Sequence, residues 1–182
     1  MAPNVVQTTD LVFSLAVSDG AGGQATDQVT ITVLPAAVTD FLRGENLPAS
    51  LRMAPDPKLD ACGWDKAPML EISYGKARPE DQVTVTGAFA GIAESGTLML
   101  LSGPESPTTL NFLPDTHIVV LRAEEMVGAY EDAWDRLRLT GRMPRNVNFI
   151  TGPSRSGDIG QTLHLGAHGP RRLHVILVEG DD

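Results

Sequence analysis

The stretch TGPSRSGDIG at 151–160 carries the side chains of an anion site. Ser154 and Ser156 can donate hydrogen bonds, and the guanidinium of Arg155 can pair with a carboxylate or phosphate. Placed between a parallel strand and a helix, the loop would add backbone N–H groups and the positive helix end at the sheet's carboxyl edge. The competing reading is that Gly152, Pro153 and Ser156 only shape and cap a turn. Glu94, in AFAGIAESGT, stands among small residues that allow close backbone approach. It could be a general acid or base, or a carboxylate nucleophile, or else a hydrogen-bonded turn carboxylate. Asp115 and His117 lie two apart at the head of a strand, so they would share a side and form an oriented carboxylate–imidazole pair, catalytic or structural. His164 and His168 have the spacing of helical metal ligands, but Gly166 ends any helix between them, and no metal site is expected. His174 reads as a core or edge histidine of the last strand, and Tyr130 and Trp134 as the apolar face of a helix.

The elements that must hold these residues follow from periodicity. Leu11, Phe13, Leu15 and Val17 alternate with polar or small residues, as do Val29, Ile31 and Val33, around the turn-rich Asp19–Gly23 segment. This predicts a β-hairpin over residues 1–35, closed by Pro35, that must join another sheet or a second subunit because a lone hairpin is marginal. From Ala36 to Arg43 the spacing predicts an amphipathic helix stopped at Gly44. Strands are expected at Leu51–Met53, Met69–Ile72, Val83–Thr86 and Thr97–Leu101, the last two side by side. Further on, His117–Leu121 reads as a strand, Ala123–Leu139 as a helix with Val127, Tyr130, Trp134 and Leu137 on one face, and Val147–Ile150 as a returning strand. A second βαβ unit would run through the 151–155 loop, a helix near Asp158–His164 and the strand Leu173–Val178, with parallel strands throughout. The fold class is therefore α/β, a mostly parallel sheet with flanking helices in one domain over 36–182, preceded by the hairpin.

Composition narrows the partners. A formal charge of −9 repels phosphate backbones and anionic lipid, so neither nucleic acid nor a membrane surface is an expected partner. No apolar run approaches the roughly 20 residues of a membrane span, and the first residues lack the features of a secretory signal, which makes the cytoplasm the expected compartment. Cys62 is the single cysteine, too few to hold an iron–sulfur cluster on this chain by cysteine alone, and no cofactor is expected here.

Several separated motifs, in order, carry a family resemblance: VTGAFAGIAESGTLMLLSGPESPTTLNFLPDTHIVVLRAEEMVGAYEDAWDRL, then GRMPRNVNFITGPSRSGDI, then LGAHGPRRLHVILVE. Together with PAAVTDFLRGENLPASLRMAPDPKLD, they make residues 36–178 resemble the LUD-domain family of bacterial lactate-utilisation proteins, in its LutC-like branch. The resemblance implies a fold similar to the NagB/RpiA/CoA-transferase group, and a subunit or accessory role beside iron–sulfur partner proteins in oxidising L-lactate to pyruvate. Activity, if any, would belong to that complex. Positions matching the family's signatures are Glu94, Gly96 and Thr97; Pro104, Glu105 and Ser106; Asp115 and His117; Gly152, Pro153, Ser154 and Asp158; and His168, Gly169 and Pro170. They are expected to share one crevice, with Glu94, Asp115 and His117 as catalytic candidates and Thr97, Ser106, Gly152, Ser154, Arg155, Asp158 and His168 around a small anionic substrate.

Two departures stand beside the resemblance. Family members commonly read TADIE where this chain has SGDIG, so Gly160 removes a carboxylate and Gly157 loosens the expected helix start. LVFSLAVSDGAGGQATDQVTITV looks like the last two strands of an extracellular immunoglobulin-like repeat, which points to a chimera over an N-terminally truncated domain. Two further functions stay open: a hairpin serving folding or homo-oligomer assembly without catalysis, and an independent enzyme on an anionic acyl, phosphosugar or folate-like substrate.

Overall fold

The computed structural model describes residues 13–18, 24–29, 34–156 and 164–179. Strands β1 (Phe13–Ser18) and β2 (Gln24–Val29) form an antiparallel hairpin with Phe13 opposite Val29. The second strand thus precedes the expected Val29–Val33 segment, whose residues 30–33 lie outside the described ones. Helix α1 (Leu34–Gly44) begins earlier than expected, because Pro35 sits in its first turn, where a missing N–H costs nothing. It buries Ala37, Val38 and Leu42.

The remaining elements are β3 (Ser50–Met53), α2 (Pro57–Asp60), β4 (Glu71–Tyr74), β5 (Val83–Gly87), β6 (Ala90–Ile92), β7 (Thr97–Leu101), α3 (Thr109–Phe112), β8 (Thr116–Arg122), β9 (Met126–Val127), α4 (Tyr130–Leu139), β10 (Val147–Ile150), β11 (Arg155–Ser156), β12 (His164–Leu165) and β13 (Arg172–Val178). Five of them make an all-parallel sheet in the order β13-β8-β5-β3-β4. Its central strands, VTVTG and THIVVLR, are buried at nearly every position, the pattern of a parallel sheet covered on both faces. A second, mixed sheet has the order β10-β7-β6-β9.

Strand alternation sorts the core into three apolar clusters. Val83, Val85, Ile118, Val120 and Ile176 pack with Leu51 and Met53 against Val38 and Leu42 of α1 and Leu59 of α2. On the opposite face Ala88, Val119 and Leu121 meet Leu98 and Leu100 of β7, so the two sheets stack face to face. The far side of the second sheet, with Ala90, Ile92 and Met99, packs on Ala133 and Leu137 of α4. The layers are therefore helix, sheet, sheet, helix.

The α/β class and the mostly parallel sheet are as expected, and several local expectations are corrected. Val83–Thr86 and Thr97–Leu101 are not neighbours in one sheet. The chain leaves the first sheet at Ala88, whose N–H reaches Val120 O at 3.0 Å, and joins the second at Phe89, whose N–H reaches Met99 O at 2.9 Å. No single helix covers 123–139: a 3-10 turn at Ala123–Glu125 and strand β9 come first, and Glu131 and Asp132, not Glu124 and Glu125, occupy the first turn of α4. Glu125 is instead buried and paired with Lys58 at 2.8 Å. The first expected βαβ unit is not one, since β10 runs antiparallel to β7 in the second sheet, while the parallel partner of β8 is β13. Of the expected helix near Asp158–His164, residues 157–163 lie outside the described ones, and His164 opens β12, which pairs antiparallel with β11.

Candidate functional site

Register puts a row of polar residues across the inter-sheet face. Arg52 lies opposite Thr84, Thr84 opposite His117, and His117 opposite Leu173. Further along the strands the same face is apolar, with Val119 and Leu121 on β8. His117 ends that row where the two sheets part, and a cleft of about 430 Å³ opens there, lined by Asn111, Phe112, His117, residues 149–155, His168–Pro170 and Leu173. Its volume falls in the range of small-molecule sites.

The cleft lies over the amino ends of β8 and β13, not the carboxyl edge expected for the 151–155 loop. The reason is the direction of β10, which belongs to the other sheet and delivers its C-terminal end to Pro170, just ahead of β13: the Ser154 N–H reaches Pro170 O at 2.8 Å. Most of the helix expected after the loop falls on residues 157–163, which lie outside the described ones. Ser154 is tied from three sides, since its carbonyl also accepts from Gly166 N at 3.0 Å and its hydroxyl from His168 N at 3.2 Å. Because the hydroxyl oxygen accepts from His168, its own proton is left to donate, and no described residue takes it. A Cβ built on Gly169 would meet Ser154 Cβ at 3.5 Å and Phe112 Cδ1 at 3.6 Å, which shows how closely the two walls approach.

His117 is wholly buried, and its Nε2 lies 2.8 Å from Thr86 Oγ1. Burial without a charged partner pushes its pKa down to about 3, so the ring is neutral at physiological pH. The expected pairing with Asp115 does not form: Asp115 lies before the first residue of β8, its side chain is largely exposed and it reaches Arg171 at 3.6 Å. His117 Nδ1 has no partner among the described residues, and neither polar atom of the fully buried Asn111 side chain has one. Buried polar atoms without partners are uncommon in folded proteins. Both residues are among those that line the cleft.

His117, Gly152, Ser154, Arg155 and His168 thus come together. Glu94 and Ser106 do not line the cleft, and Asp158 is outside the described residues. Glu94 is an exposed turn carboxylate whose Oε1 accepts the N–H of Tyr130 at 3.0 Å, at the positive end of α4. Ser106 closes a turn with Gly103 through reciprocal backbone bonds of 3.1 and 3.2 Å, past the other end of β7. Thr97 acts behind the wall: its hydroxyl lies 2.9 Å from Thr151 Oγ1, 3.0 Å from the Tyr130 hydroxyl and 2.8 Å from Ser95 Oγ, anchoring the first residue of the loop. Asn111, Phe112, Phe149 and Thr151 are lining residues that sequence reasoning missed. A lone amide inside the apolar run TLNFL was the available signal for Asn111. Among the described residues the lining includes Arg155 and no Asp or Glu, although the chain as a whole carries a formal −9. No group of three or more His, Cys, Asp or Glu among the described residues could hold a metal ion.

Comparisons with known proteins agree with this architecture. A crystal structure of a DUF162 family protein from Deinococcus radiodurans superposes with a TM-score of 0.59 at 25% identity, covering 80% of this chain and 82% of that one. An uncharacterized protein of Neisseria meningitidis is 42% identical over 97 residues, 53% of this chain and 42% of its own length. The lactate utilization protein C of a Geobacillus strain is 33% identical over 129 residues, 68% of this chain and 52% of that protein. That of Halalkalibacterium halodurans is 37% identical over 108 residues, 57% and 46% of the two chains. The chain spans about half the length of the curated relatives it matches. The LUD domain model matches residues 81–178, from just before β5 to the last residue of β13, and with more than half of its residues inside that match the chain belongs to the LUD domain family.

Proposed function

We propose that this chain acts in lactate utilisation as a LutC-like protein, a subunit or accessory factor in the oxidation of L-lactate to pyruvate, and that its cleft holds a small organic carboxylate. The observation that supports this most is the lining itself, with Arg155 and the Ser154 hydroxyl at one wall and no acidic side chain among its described residues, in a strongly acidic protein. Relatives named lactate utilization protein C supply the pathway. Removing two electrons and two protons from lactate requires an acceptor. With Cys62 as its one cysteine, this chain cannot ligate an iron–sulfur cluster through cysteine alone, and the proposal places such clusters on partner proteins in the cytoplasm. No helix among the described residues is long and apolar enough to cross a membrane.

The test is calorimetric titration of the purified chain with L-lactate, pyruvate and inorganic phosphate. Binding of the carboxylates is expected, weakened about tenfold in Arg155→Ala by loss of one charge-assisted hydrogen bond. Failure of every carboxylate to bind at millimolar concentration overturns the reading.

One observation favours an additional role for the N-terminal segment. Among the described residues, strands β1 and β2 pair with each other and with neither large sheet, which leaves both outer edges without a described strand partner and available to a second copy. On the chimera reading the hairpin joins subunits into a homo-oligomer, and removing residues 1–33 lowers the number of subunits per particle, read as the light-scattering mass divided by the chain mass. An unchanged subunit number rejects it.

A further inference from the structure

Resting on the carboxylate reading of the cleft, we infer that its floor selects acids bearing an oxygen on the carbon next to the carboxylate, and prefers the 2-hydroxy to the 2-oxo form, with Asn111 and His117 reading that oxygen.

Two walls of different chemistry converge here. Arg155 and Ser154 supply a cation and a hydroxyl donor on the loop side, the ordinary means of holding a carboxylate. The floor is uncharged. Asn111 contributes an amide donor and an amide acceptor, both fully buried and both unpartnered, and His117 contributes a neutral ring whose Nδ1 is likewise unpartnered. His117 Nε2 is occupied by Thr86 Oγ1 at 2.8 Å, which fixes the ring and leaves Nδ1 as its only unused polar atom.

A second carboxylate or a phosphate would meet no cation on that floor, so the second polar group of the ligand has to be neutral. A hydroxyl both donates and accepts, and can satisfy the amide nitrogen and the amide oxygen together, whereas a ketone only accepts and leaves the amide oxygen bare. An acid with hydrogen at that carbon satisfies neither. Phe112, Phe149 and Leu173 supply apolar lining for the rest of the carbon skeleton. Sites that leave buried polar groups unpaired discriminate steeply against the ligand that fails to pair them.

The experiment titrates the full chain with L-lactate, pyruvate and propionate, acids of equal carbon number that differ at that position. Lactate is expected to bind about 10–100-fold more tightly than propionate, with pyruvate between them. In Asn111→Leu the lactate advantage shrinks to within about threefold while propionate affinity stays near that of the wild type. Arg155→Ala weakens all three acids together. Leucine at 111 removes no hydrogen bond made with a described residue, and should Asn111→Leu nevertheless fail to fold, the wild-type series decides alone. A separate readout is the Asn111 side-chain amide resonance, expected to shift with lactate and not with propionate.

Equal affinity for lactate and propionate in the wild type overturns this inference and leaves the carboxylate reading standing, because the floor then holds only water. Stronger binding of pyruvate than of lactate also overturns it. Absence of binding by all three overturns the carboxylate reading itself.

Discussion

Asp81→Ala is expected to lower folding stability by about 3–5 kcal/mol, measured by urea denaturation near neutral pH. Asp81 faces Arg52 through two parallel contacts, Nε to Oδ2 at 2.9 Å and Nη2 to Oδ1 at 3.1 Å, with the two side chains 13% and 8% exposed. The remaining guanidinium nitrogen donates to Tyr74 O at 3.2 Å, and Asp81 also accepts the Arg78 N–H at 2.7 Å. The pair therefore binds together the ends of β3 and β4 and the approach to β5. Alanine at 81 strands a guanidinium in the sheet interface with one backbone acceptor, and an uncompensated buried charge costs far more than the pair itself is worth. Arg52→Met in the same chain should recover part of the loss, since the stranded charge is then gone. The hydrogen bond from Arg52 holds the Asp81 carboxyl below its ordinary 3.8, so this contribution is present above that value and lost as the pH falls through the depressed one. A loss under about 1 kcal/mol at neutral pH would mean that water screens the pair as it screens surface bridges.

Much of this interior was legible in the sequence, and what was not shares one physical origin. The helical spacing of α1, the strands at Leu51, Val83, Thr97, His117 and Leu173, and the end of α4 at Leu139 are local properties and emerge where periodicity and turn chemistry place them. Which strands pair is not local. Ala88 and Phe89 differ little as sequence, yet their backbone N–H groups bond to different sheets, and that single crossing turned an expected continuous sheet into two stacked ones.

The same non-local step governs the site. The anion reading of residues 151–155 came from residue types, whereas its position at the amino ends of β8 and β13 came from the antiparallel direction of β10. Glu94 and Asp115 had the right chemistry for catalysis. Tertiary structure gave their carboxylates to the first turn of α4 and to Arg171. Asn111 was invisible for the converse reason, since an amide in TLNFL acquires meaning only when α3 packs beside β8 and leaves both of its polar atoms buried and unpaired. His117 joins the cleft lining under a different role from the expected one, as a neutral ring in place of half of an ion pair.

That neutrality has a measurable consequence. The unfolded chain takes a proton on His117 as the pH falls below about 6.5, while the folded chain, with its buried ring, resists until about 3. A histidine whose folded pKa is depressed confers stability that is fully present above 6.5 and drains as the pH falls toward the folded value, at about 1.4 kcal/mol per pH unit. The Asp81 contribution changes only at lower pH, below the ordinary carboxylate value. His174, also lowered by burial, loses stability in the same direction and over an overlapping window. His117→Gln separates the two, because the amide keeps a polar partner for Thr86 and does not titrate, while His174 is common to both chains. Between about pH 6.5 and about pH 4.5 the wild type should lose about 2 kcal/mol more than His117→Gln, read as a converging pair of urea-denaturation free energies. Parallel curves would mean that the ring is protonated in the folded chain as easily as in the unfolded one, which requires water to reach Nδ1 through the cleft. A ligand that prefers the neutral ring would then bind more weakly as the pH falls through the titration, so the same pair of proteins links the stability of the sheet interface to the chemistry of the cleft floor.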